Sequence, residues 1–188
     1  MRVSSDMQDE RQGKMQSETQ GDMQSVAQDE KFIKRAFALA RNAVKSGNEP
    51  FGALLVKDGR EIFSCENQIF TAHDPTFHAE TGLIRAFCGQ TGITDLREYV
   101  LYTSCEPCYM CSGAIVWAKV GRVVYSASNR DLGAVRGKDG TDCSGTVFAN
   151  STYKPQVTAG VMREEGVKIL REYFAGKGKA VFADEGKR

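Results

Sequence analysis

The sequence predicts an α/β domain, one sheet covered by helices on both faces, within a chain of 188 residues. Three observations carry that expectation. Helical and strand patterns alternate from about residue 29 to residue 176. At least one strand pattern, YVLYTS (99–104), reads as buried. The composition, 41% hydrophobic and 26% charged, is ordinary for a globular protein with a core, and 20.7 kDa is long enough for one such core.

Residues 1–28 stand apart. They are rich in Gln, Ser, Met and acidic residues, and RQGKMQSE (11–18) is followed by TQGDMQSV (19–26), identical at five of eight positions. The segment is expected to be a disordered polar tail with an octapeptide repeat, because it has little to bury and an eight-residue period fits no solenoid. The folded domain is expected over 29–176. In KFIKRAFALARNAVKSG, Phe32, Ile33, Ala36, Phe37, Leu39, Ala40 and Val44 recur at helical spacing, and Gly47 ends the helix. FGALLVKDGREIFSCENQIF reads as two strands joined at Lys57-Asp58-Gly59. A helix follows from about His78 to Phe87, then the strand 99–104, a helix from Pro107 to about Ala118 and the strand RVVYSAS (122–128). Residues 129–154 are rich in Gly, Asp, Ser and Thr and read as a long, functional loop. A further strand and an amphipathic helix (161–176) close the domain, and 177–188 form a basic, Gly-broken tail.

Net charge is +1, which gives no general drive toward nucleic acid or anionic membrane. No apolar run approaches the ~20 residues of a membrane span, and the N-terminus lacks the apolar stretch of a signal peptide. These features predict a cytoplasmic protein without membrane partners. In that compartment thiols stay reduced, so the six cysteines read as metal ligands or small buried hydrophobes.

TSCEPCYMC (103–111) concentrates three of those thiols. Cys108 and Cys111 are spaced i, i+3 and share a helix face. Pro107 suits the first helical turn, which sets Cys108 at or beside a helix N-terminus, where the dipole favours thiolate. The chain has two histidines, and His78 lies in HAE, two residues before Glu80. One His and two Cys give three ligands and leave zinc's fourth position open for water. Glu80 is too near His78 to be a routine further ligand and is placed to move a proton. One rival is a structural Cys3His site with Cys105 as fourth ligand, which would make a non-catalytic zinc module and leave Glu80 without a purpose. An iron–sulfur cluster lacks a fourth cysteine at the right spacing. Cys65, Cys88, Cys143 and Cys105 read as packing thiols.

H-x-E followed by P-C-x-x-C is the signature of zinc-dependent nucleobase deaminases. With PFGALLV (50–56), HDPTFHAE (73–80), LYTSCEPCYMCSGAIVWA (101–118) and GRVVY (121–125), residues 29–176 resemble the cytidine/deoxycytidylate deaminase superfamily. The branch is that of guanine and nucleoside deaminases, related to tRNA adenosine deaminases. The resemblance implies a cytidine deaminase-like three-layer α/β/α fold with a central five-stranded mixed sheet, a homodimer, and one Zn2+ per subunit. It implies His78, Cys108 and Cys111 as ligands and Glu80 as the proton shuttle. It also implies Asn67, Trp117, Phe51 and Ala79 as substrate-binding positions. Asn67 otherwise reads as a turn residue at a strand end, Trp117 as a buried core residue, and His73 as a loop residue that binds nothing.

The sequence departs from the branch in places. tRNA adenosine deaminases typically have an acidic residue at Asn129, and no G-F-D-D-like segment of guanine deaminases follows here. The expected function is hydrolytic deamination of a free nucleobase or nucleoside, with a guanine-like purine preferred. Adenosine-to-inosine deamination of tRNA is the alternative. It requires phosphate contacts, for which the sequence offers only Lys177, Lys179, Lys187 and Arg188.

Overall fold

In the computed structural model the backbone is described for residues 4–177 and side chains for residues 25–175. The elements are α1 (Ser4–Lys45), β1 (Gly52–Lys57), β2 (Arg60–Glu66), α2 (Ala79–Thr91), β3 (Val100–Cys105), α3 (Tyr109–Trp117), β4 (Arg122–Ala127), α4 (Asn129–Val135), α5 (Cys143–Ala149), β5 (Gln156–Thr158) and α6 (Arg163–Lys177). α1 begins inside the segment read as a polar tail. Among the described side chains, residues 25–28 are exposed and Asp29 is the first that is buried. The basic stretch from 178 onward lies outside the described residues.

The five strands form one mixed sheet in the order β2-β1-β3-β4-β5. β1 is antiparallel to both β2 and β3, while β3, β4 and β5 run parallel. The β1–β2 turn is the one expected. Asp58 and Gly59 take φ of 50° and 70°, the pairing of positive angles that a two-residue hairpin needs and that Asp-Gly tolerates.

Strand alternation then divides the core in two. Ala53 and Leu55 of β1 face Leu83 and Phe87 of α2 and Ile115 of α3. Leu54 and Val56 face Phe32, Ile33 and Phe37 of α1, with Ile169 of α6 on the same side. Helices on both faces make the predicted three layers. α1 lies so close to β1 that a Cβ at Gly52 would sit 2.5 Å from Leu39 Cβ and 2.6 Å from the Ala36 carbonyl oxygen. Buried Asp29 ties α1 to the sheet, accepting hydrogen bonds from Tyr102 Oη (2.7 Å) and Arg122 Nη1 (3.1 Å).

One expectation fails. Residues 129–154 are not a loop but contain α4 and α5. Each helix has only seven residues, too few to show a hydrophobic period. Their signals are caps. Ser128 and Asp131 form a reciprocal capping box on α4, and Asp142 Oδ1 accepts the Gly145 N–H on α5. A smaller correction concerns Pro107, which precedes the N-cap Cys108 of α3 and does not occupy its first turn.

Candidate metal centre and active site

The site forms at the carboxyl ends of the parallel strands β3 and β4, the usual place for a ligand on such a sheet. Two helices begin there. His78 is the N-cap of α2, and Cys108 is the N-cap of α3 with Cys111 in its first turn. Neither cap residue uses its side chain to cap its helix, so both side chains are free to turn toward each other. His78 Nδ1 lies 3.6 Å from Cys108 Sγ and 3.7 Å from Cys111 Sγ.

These distances test the fit to zinc. Metal–sulfur and metal–nitrogen bonds of ~2.3 and ~2.0–2.1 Å in a tetrahedron put sulfur and nitrogen roughly 3.6 Å apart. The donor set of one imidazole and two thiols is also a zinc set. His78, Cys108 and Cys111 are the His, Cys, Asp or Glu group placed to hold an ion among the described residues. Cys105 is not part of it. It sits buried at the end of β3, outside the group whose donor atoms lie within 4.8 Å of one another. The four-ligand structural reading therefore lacks its fourth ligand.

The electrostatics suit a cation. The hydrogen bond from Cys111 holds the Cys108 thiol below the ordinary thiol range, which favours the thiolate a metal needs. Cys111 is pushed above the ordinary thiol range by that same bond to Cys108 and by burial. His78 is raised, first by its hydrogen bond with Cys108.

Glu80 lies in the first turn of α2, buried, with its carboxyl raised chiefly by desolvation. Thr103 Oγ1 donates to Glu80 Oε1 at 2.8 Å, and Cys111 Sγ lies 3.4 Å from Oε2. One oxygen is thereby fixed and the other faces the donor group. Thr103 escaped the sequence reading. Its signal was a pair of adjacent polar residues, Thr103 and Ser104, in a buried strand.

The substrate positions are more scattered. Asn67 is fully buried after β2, and its N–H donates to the Phe51 carbonyl at 3.0 Å. Its Oδ1 accepts the Ile69 N–H at 3.2 Å, which is the turn bond expected of such a residue. Its Nδ2 is the buried side-chain polar atom without a partner among the described residues. Phe51 is half-buried, and Ala79, between His78 and Glu80, is fully buried. Trp117 is not in the core. It is 87% exposed at the last residue of α3, ~13 Å along that helix from Cys108. His73 is exposed in the loop before α2 at φ 52° and is not part of the donor group. Asn129 opens α4, and its Nδ2 donates to the Pro107 carbonyl at 3.3 Å.

Residues 26–127 match the model of the cytidine and deoxycytidylate deaminase zinc-binding region. Over 103 residues the chain is 48% identical to guanine deaminase of Bacillus subtilis, covering 54% of this chain and 66% of that protein. Over 155 residues it is 35% identical to a tRNA-specific adenosine deaminase of Agrobacterium fabrum, covering 81% of this chain and 97% of that protein. The solved structure of guanine deaminase from Nitrosomonas europaea superposes with a TM-score of 0.65 at 26% identity, covering 76% of this chain and 82% of that one.

Proposed function

Because the chain belongs to the cytidine and deoxycytidylate deaminase zinc-binding family, and so is a hydrolase of C–N bonds, we propose that it deaminates a free nucleobase or nucleoside, preferring a guanine-like purine. The observation that carries this reading is Glu80, a buried carboxyl pinned by Thr103 against the His78, Cys108 and Cys111 donors. A structural zinc module has no use for it.

Zinc bound by these three residues supplies Lewis-acid activation of a water molecule. Glu80 does the proton work. Its Oε2 takes a proton from the attacking water and gives it to the departing amine, while Thr103 holds Oε1 still. A carbon–oxygen bond forms, the carbon–nitrogen bond breaks, and ammonia leaves. Desolvation raises the Glu80 carboxyl above the usual carboxylate range, which strengthens it as a proton acceptor.

Asn67 orients the base. Its unpaired Nδ2 is a buried donor that calls for an acceptor, such as a purine carbonyl or ring nitrogen. Phe51 and the backbone at Ala79 line the same space in this reading. The identity to guanine deaminase, with near-zero net charge, favours a small purine over RNA.

The tRNA reading has its own support in the relative matched over 97% of its length. A panel of guanine, adenine, cytosine, their nucleosides and tRNA separates the two, with ammonia release as the readout. The proposal expects release from guanine or its nucleoside with weak salt dependence. Release confined to tRNA and falling steeply with salt would overturn it.

The same reading includes a homodimer. It is supported by the outer face of α3, where Tyr109, Met110 and Trp117 are exposed on a helix with no charged residue.

A further inference from the structure

We propose that Glu106 is a positioning residue that locks the loop carrying Cys108 onto α4 and α5. Glu106 lies between the end of β3 and Pro107, and its side chain is buried. Its Oε2 accepts the N–H of Asn129, the first residue of α4, at 2.8 Å. Its Oε1 accepts both the N–H and the Oγ of Ser144, in the first turn of α5, at 3.0 and 2.8 Å. These are first-turn N–H groups that no bond within their own helices satisfies. One carboxylate thus serves two helix starts.

The tie is reciprocal. The Pro107 carbonyl, directly before Cys108, accepts from Asn129 Nδ2 at 3.3 Å and from Ser112 Oγ of α3 at 3.1 Å. The Glu106 N–H donates to the Ala127 carbonyl at 2.7 Å. Residues 106–107 are therefore held by β4, α3, α4 and α5 together. The two short helices that the sequence disguises as a loop become the backing of the metal loop.

The chemistry explains why this position is Glu. A carboxylate accepts at both oxygens, whereas a glutamine amide accepts at one and donates at the other. With its oxygen kept on Ser144, the Glu106→Gln side chain would turn an NH2 group against the Asn129 N–H. Groups that orient metal ligands from outside change metal affinity or activity by ~10–100-fold when lost.

This inference rests on His78, Cys108 and Cys111 being the zinc ligands. The test compares wild type, Glu106→Gln and Ser144→Ala as full-length chains. Zinc affinity is measured by chelator competition, and coordination by the visible spectrum of the cobalt-substituted protein. For Glu106→Gln the expected result is zinc binding weakened by ~10–100-fold with an altered cobalt spectrum. Ser144→Ala keeps the carboxylate and both N–H donors, so it retains the fold and loses roughly two- to tenfold, the worth of one hydrogen bond. Wild-type zinc affinity and cobalt spectrum in a folded Glu106→Gln protein would overturn the assignment. If that variant does not fold, wild-type affinity in Ser144→Ala does so. A wild-type chain that fails to bind one zinc would instead sink the metal reading itself.

Discussion

At the scale of single residues, the site is a contest between desolvation and pairing. Glu80 and Asn67 are both buried polar groups, and burial is costly unless each bond is made. Glu80 has Thr103 on one oxygen, while Asn67 keeps one donor unmatched. That asymmetry fits the different work proposed for them, proton transfer for one and base recognition for the other. Asn67→Ala is expected to lower kcat/KM for the preferred purine by roughly 10–100-fold or more, with zinc content unchanged. Steady-state kinetics check this, and an unchanged kcat/KM would remove Asn67 from the binding surface. His78, Cys108, Cys111 and Glu80 were legible in the sequence because their chemistry fixes both type and spacing. Thr103 and Glu106 were not, since their partners lie 23 and 38 residues away and only folding brings them together.

At the scale of elements, α3 carries two tasks on one short helix. Its N-cap is Cys108 and its first turn holds Cys111, while its far end presents Trp117 to solvent. Gly113, between Tyr109 and Trp117, leaves open space where a Cβ would be, so another surface can approach closely. This face is expected to join a second copy of the chain. Light scattering should report a dimer for the wild type and a shift toward monomer for Trp117→Arg, because an arginine there would have to be buried unpaired. A wild-type monomer, or a dimer indifferent to the substitution, would remove α3 from any interface. The sequence alone could not separate a core tryptophan from a surface one, because a short apolar helix has no polar face to orient it. The same shortness hid α4 and α5, whose caps at Ser128 and Asp142 were their only local signal.

For the whole molecule, most of the fold was readable because alternation of helix and strand leaves few ways to cover a sheet. The Asp58-Gly59 turn fixed the hairpin, and the apolar runs at 99–104 and 122–128 marked the central strands. Strand order was not readable. Nothing local tells that β1 lies between β2 and β3, with Leu54 and Val56 packed on α1. That order brings α2 and α3 to the same end of the sheet, where His78 meets Cys108 and Cys111. We propose that this end is a catalytic centre driven by Glu80. The most direct test measures zinc content and ammonia release together in Glu80→Ala, using the substrate the panel identifies. The expected result is one zinc per chain, as in the wild type, with release slowed by ~10²–10⁴-fold. Near-normal release from Glu80→Ala would contradict it, because proton transfer would then lie elsewhere.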